Sequence, residues 1–251
     1  MAGEDIGWCL LGAPDPDKAK PDQAKPGKEG VALFLIDMFN RKTTMPTPAE
    51  ILPGRAEAMD VAQPHAVSGM ALTPPYPDGF ETACFAMGKF WGAEKRFWSL
   101  EGVYVTAVGY SGGTTPNPTY QEVVTGLTGH AQSVMVVFDP ARLAYADLLA
   151  MFFENHDPTQ GMRQGSDIGT FFRSVIFARD DVQVSAAEAA VVTYQQALAA
   201  AGLTAKLTTQ IVPVGEFFFA EAHHQQYLAR NPGGQSGLKP SGVLFPRGAS
   251  S

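Results

Sequence analysis

A lysine stands where chemistry could be done. In "ETACFAMGKFWGAEKRFW", Glu81 to Trp98, an apolar strand-like run pinches at Gly88 and opens into a helical pattern. The turn presents Lys89 at the N-terminus of a helix, a place that suits a thiolate or another anion and disfavours a cation. Burial beside the aromatic pair Phe90 and Trp91 would favour the neutral amine. An amine so placed can act as a Schiff-base nucleophile or as a general base.

Other reactive side chains fit blander readings. Cys84 lies five residues before Lys89 on the same strand, and an odd spacing sends the two to opposite faces, so Cys84 reads as a core residue. Cys9, in "GWCLLG", carries no redox motif. His223 and His224 are neighbours on an expected helix and do not share a face. With no third ligand nearby, no metal is implied. His156 and Asp157 read as pocket wall. The glycines of "GYSGG" lack the spacing of a nucleotide loop and read as a tight turn. His130 reads as a hydrogen-bonding partner within its own turn.

Composition narrows the class. The formal net charge is -7 with no basic cluster, which argues against nucleic acid. The longest early apolar run, Val31 to Phe39, is too short to span a bilayer and contains Asp37. The first residues lack the order of a signal peptide. Two cysteines make no disulfide framework. The expectation is a soluble cytoplasmic protein with a small-molecule substrate or ligand, no cofactor, no metal, no nucleic-acid partner and no membrane association.

These residues need elements to position them. Residues 1–30, rich in proline and charge after Pro14, read as a flexible segment and linker, and 31–76 as an extended arm. A main domain spans 77–232, followed by a loop tail over 233–251. Within the domain, "FETACFAM", "GVYVTAVGY", "AQSVMVVF", "RSVIFA" and "AKLTTQIVP" read as strands. Helices follow in "GAEKRFWSL" and in "DPARLAYADLLAMFFENH", where Asp139 is the expected N-cap and Pro140 the first helical residue. A third runs through "DDVQVSAAEAAVVTYQQALAAAG", stopped by Gly202. The aromatic run "FFFAE" reads as core. The irregular mixture predicts an α+β fold, helices packed on a mixed sheet.

Four runs together resemble the methionine sulfoxide reductase A family: "GKFWGAEKRFW", "VGYSGGTTPNPTYQEVVTGLTGHA", "FFENHDPTQGMRQGSDIGTFFRS" and "AEAHHQQYLARNPGG". They cover roughly Pro77 to Gly237. "TTMPTPAEILPGR" also resembles the arm of longer members. The resemblance implies a two-layer α+β sandwich and reduction of the S-epimer of methionine sulfoxide. In the family a cysteine attacks the sulfoxide, resolving cysteines follow, and thioredoxin recycles the disulfide.

Carried across, the nucleophile position is Lys89 and the family acid is Gln132. One oxygen-binding tyrosine is Tyr110 and the other is Phe172. Phe90 and Trp91 keep the methyl cage, Tyr227 stands near the site, and Asp167 would hold a substrate amine. The family histidine after it is Ile168. The resolving cysteines would fall near Ser236 and near Leu244 or Phe245. An amine has no sulfenic-acid cycle. The resulting expectation is a divergent member that has become a non-redox enzyme of lyase, isomerase or cyclase type. Lys89 would be its nucleophile or base, with Tyr110 and Gln132 donating to an oxyanion. Thioredoxin is then not expected. Two alternatives stay open: an inactive ligand-binding pseudoenzyme, and a residual sulfoxide reductase through Cys84.

Overall fold

The computed structural model describes residues 42–247, all within one compact unit, Met38–Ser251. The expected linker over 1–30 lies outside the described residues, as does Cys9. Six strands form one sheet in the order β7-β6-β1-β3-β2-β8. They are β1 (Glu81–Met87), β2 (Val103–Ser111), β3 (Ala131–Phe138), β6 (Ser174–Ala178), β7 (Gln210–Pro213) and β8 (Phe218–Phe219). β6 and β7 pair in parallel and the rest are antiparallel. The mixed sheet of the α+β expectation is present. A separate two-stranded ribbon, β4 (Arg163–Gln164) and β5 (Asp167–Ile168), carries Asp167.

Strand alternation divides the core. Ala83, Phe85 and Met87 of β1 pack on the helical side. There they meet Phe90 and Phe97 of α1 (Phe90–Trp98) and Leu148, Leu149, Phe152 and Phe153 of α3 (Tyr145–Glu154), together with Tyr194 and Leu198 of α4 (Asp181–Ala200). Cys84 and Ala86 turn the other way, against Val175 and Phe177. Further along that reverse side, Val105, Ala107 and Val137 are covered by Val61 and Leu72 from the strand-free segment 42–76.

α4 begins and ends as its sequence requires. Asp180 accepts from Gln183 N at 2.9 Å, and Gly202 takes φ +81° beyond the last turn. α3 corrects its expected start. Asp139 accepts from Ala141 N within a turn, and the helix starts at Tyr145 with Asp147 accepting from Ala144 N. The Asp-Pro pair thus begins a turn rather than a helix. Among the described residues no helix is long and apolar enough to cross a membrane.

Candidate active site

Gly88 makes the turn from β1 into α1 with φ +101°. A Cβ there would lie 2.7 Å from Gln164 Cγ, so both conformation and space call for glycine. Lys89 follows at the N-cap position, its side chain making no cap bond. The first helical N–H, on Phe90, donates to Gln132 Oε1 at 3.3 Å. Gln132 lies opposite Tyr110 in the β2–β3 register, so their side chains share the helical face of the sheet. Gln132 is 1 % exposed; its Nε2 makes no hydrogen bond of good geometry among the described residues, although it stands near enough to the Tyr120 hydroxyl to oppose the rise caused by burial there.

Rings close around this point. Trp91 stacks on Tyr227 at 4.3 Å and lies parallel to Tyr120 at 6.4 Å. Phe90 meets Tyr110, Tyr120 and His224 at 5.9, 6.2 and 5.5 Å. The Tyr110 hydroxyl donates to Glu221 Oε2 at 2.9 Å, while Glu221 Oε1 accepts from Tyr120 N at 2.8 Å. Burial first, and then the Glu221 charge, push the Tyr110 hydroxyl well above its usual range. Burial raises the Tyr120 hydroxyl too, with the Lys89 charge opposing.

His224 is a neutral imidazole in this setting. Burial, with His223 beside it, pulls it down to about 4. Its Nδ1 accepts from Trp91 Nε1 at 3.3 Å, so the proton sits on Nε2. That Nε2 is buried without a hydrogen-bond partner among the described residues, Glu221 being 3.9 Å away.

Lys89 and Asp167 form an ion pair at 3.0 Å, 28 % and 20 % exposed. Asp167, expected to hold a substrate amine, is thus taken up by the chain's own cation. The tail packs on the lysine stem: Gly237 has φ +73°, and a Cβ on it would come within 2.7 Å of Lys89 Cδ. A Cβ on Gly92 of α1 would clash with the backbone oxygen of Ser236.

Lys89, Phe90, Trp91, Tyr110, Gln132, Asp167 and Tyr227 therefore meet around the start of α1. Phe172 belongs to the same buried cluster as Phe90 and Tyr110, with its ring 4.4 Å from Phe171. Three participants escape a sequence reading: Tyr120, Glu221 and His224. "TYQE" does show a capping box, Thr119 with Glu122, which places Tyr120 at the start of α2 (Tyr120–Val123). Residues 222–226 form turns rather than a helix, and the rings of His223 and His224 come within 4.1 Å. Cys84 lies on the opposite face of β1, its Sγ 3.9 Å from Ser111 Oγ, and burial lifts its thiol to about 12.

Comparison with known proteins gives this site its context. The family model described as peptide methionine sulfoxide reductase matches residues 81–242. Peptide methionine sulfoxide reductase MsrA 1 of Rhizobium meliloti is 55 % identical over 217 residues, 86 % of this chain and 100 % of that protein. MsrA 2 of a Nostoc species is 55 % identical over 210 residues, 84 % of this chain and 94 % of its own. Among solved structures, methionine sulfoxide reductase A of Corynebacterium diphtheriae is 41 % identical with a TM-score of 0.72, covering 81 % of this chain and 100 % of that one. Reduced Mxr1 of Saccharomyces cerevisiae is 28 % identical with a TM-score of 0.58, over 69 % and 96 %. The chain belongs to the peptide methionine sulfoxide reductase family.

Two expectations are corrected by these relatives. A divergent non-redox enzyme, lyase or pseudoenzyme with Lys89 as amine catalyst does not stand. Proteins more than half identical over most of the chain are named reductases. The geometry agrees, because Lys89 is engaged by Asp167 rather than presented as a free amine. The exclusion of thioredoxin rested on that non-redox reading and falls with it.

Proposed function

We propose that this chain reduces methionine sulfoxide, free or in a peptide, as its named relatives do. The observation that carries the reading is the buried Gln132 Nε2, which makes no well-formed hydrogen bond among the described residues and stands beside the rings of Phe90, Tyr110 and Tyr120. A buried donor without an acceptor is costly, and a sulfoxide oxygen supplies one. In this reading Phe90 and Trp91, backed by Tyr227, take the S-methyl group. Gln132 Nε2 donates to the oxygen, and the Tyr110–Glu221 pair fixes the far wall. Phe172 backs the cage. The Lys89–Asp167 pair forms its charged rim.

Among the described residues the one thiol, Cys84, faces away from the cage. The reducing thiols therefore come from outside the described residues, a thioredoxin-type dithiol being the partner that fits. The balance is simple: sulfoxide plus two thiols gives thioether, disulfide and water. The sulfur–oxygen bond breaks, two electrons pass to sulfur, and the thiol protons leave with the oxygen. A reducing compartment such as the cytoplasm suits such a reaction.

The test is to incubate the full chain with S-methionine sulfoxide and either dithiothreitol or a thioredoxin recycling system, and to measure methionine by mass spectrometry. Methionine is expected from the S-epimer and not from the R-epimer. Cys9→Ser and Cys84→Ser variants that keep this activity place the thiols on the partner. No methionine with either reductant ends the reading.

A further inference from the structure

One buried carboxylate lies beside the cage without touching it. Glu94, on α1, is fully buried, and among the described residues it is held by hydrogen bonds rather than by an ion pair. Its Oε2 accepts from Gln226 N at 2.8 Å, and its Oε1 accepts from Gln226 Nε2 at 2.7 Å and from the Thr106 hydroxyl at 3.2 Å. Gln226 is strained, holding φ +48° as a non-glycine. Its own Oε1 accepts from Ala66 N at 3.2 Å, and His65 Nε2 meets the Thr106 hydroxyl at 3.0 Å. The hydrogen bonds thus close a ring through segment 42–76, β2, α1 and the turn that ends at Gln226.

The placement of that ring matters. Glu94 is three residues after Trp91, on the same face of α1. Gln226 immediately precedes Tyr227, which stacks on Trp91, and follows His224, which accepts from the Trp91 indole. We propose that Glu94 is a positioning residue that clamps the His224–Tyr227 wall of the cage onto Trp91 through Gln226, with His65 and Ala66 completing the clamp. A carboxylate is required because Gln226 offers it two donors at once, one of them from backbone held in a left-handed conformation. The structural part stands on these contacts, and the catalytic part rests on the reductase reading above.

Three titratable or charged groups surround the ring. His65, from segment 42–76, is pulled down to about 4 by burial and Arg230, and is neutral at pH 7. Arg230, from α5 (Tyr227–Arg230), is the nearby cation. Glu94 itself is raised to about 7 by burial, against its hydrogen bonds from Gln226 and Thr106.

The test follows the Trp91 indole N–H by NMR, assigned with Trp91→Phe, alongside turnover. In the wild-type chain this resonance should titrate with a midpoint near 7, and it should keep doing so in His223→Gln. Glu94→Gln, which can accept from only one of the two Gln226 donors, should shift the resonance part-way and abolish the titration. Glu94→Ala, or Gln226→Ala if the first does not fold, should move it towards a solvent-exposed indole. The same variant should raise KM for methionine sulfoxide about fivefold, the worth of one lost hydrogen bond, with kcat little changed. The clamp is overturned if Glu94→Ala and Gln226→Ala leave the indole resonance where it is, or if they lower only the melting temperature. If no variant and no wild type turns over, the reductase reading fails while the indole measurement still decides the clamp.

Discussion

Lys89 occupies the position whose surroundings are built for a negative charge. α1 presents its first N–H groups there, and Phe90 and Trp91 shield it on one side. Asp167 supplies an anion to the lysine at 3.0 Å, which offsets the helix field. A thiol in place of the amine would feel the opposite balance, with the helix end favouring its thiolate below the usual ~8.5. Lys89→Cys should therefore add an internal nucleophile to a cage that, on the reductase reading, already holds the sulfoxide. Methionine formation with dithiothreitol is expected to rise about tenfold, equal to about 1.4 kcal/mol of barrier. An unchanged rate would show that the cage does not deliver the sulfur to position 89.

At the scale of elements, the sheet is held from both sides by different means. Helices α1, α3 and α4 cover one face, and the strand-free segment 42–76 seals part of the other through Val61 and Leu72. Leu72, 2 % exposed, contributes accordingly. Leu72→Ala should cost about 3 kcal/mol in urea unfolding, the ordinary cost of a core leucine, and a loss near zero would mean that the segment does not seal the sheet. Elements with strong local signals were legible. α1 carries a helical pattern after a glycine turn, and α4 is alanine-rich with a glycine stop. Cys84 could be placed away from the site by strand alternation alone. The start of α3 was not legible, because Asp139-Pro140 suits a turn as well as a cap. The turns of 222–226 were hidden as well. They depend on Gln226 adopting φ +48° to reach Glu94, more than a hundred residues away in the chain. For the same reason Glu221 and His224 carry no local mark, and the capping box beside Tyr120 marks a helix start but not a site. They join the site only once β2, α2 and the 221–227 segment have packed.

The whole molecule has a pH response that the buried histidines set. His156 is fully buried, its Nδ1 donating to Phe152 O at 2.7 Å and its Nε2 accepting from Ser174 at 2.8 Å. Burial pulls it down to about 4, and His65 and His224 likewise. A histidine depressed in the fold lends stability that is present above its unfolded value of ~6.5 and is lost as pH falls towards 4. For His156 alone the loss at pH 5 is about 2 kcal/mol. Glu94, raised to about 7, acts in the opposite sense, its contribution being present at low pH and fading as pH rises through 7. Three groups outweigh one, so the melting temperature should fall from pH 7.5 to pH 5, and His156→Gln should flatten that fall. A melting temperature that rises on acidification would contradict these burials. The contact between Gly237 and Lys89 reaches further, into how such a sequence can change over time. With a Cβ on residue 237 only 2.7 Å from the lysine stem, the two positions share one mutational history. A side chain at 237 would both push the lysine stem aside and strain the +73° backbone, so a long residue at 89 is most easily kept while 237 stays glycine. The order of substitutions along any evolutionary path through this site is therefore constrained by the tail, a segment that performs none of the chemistry.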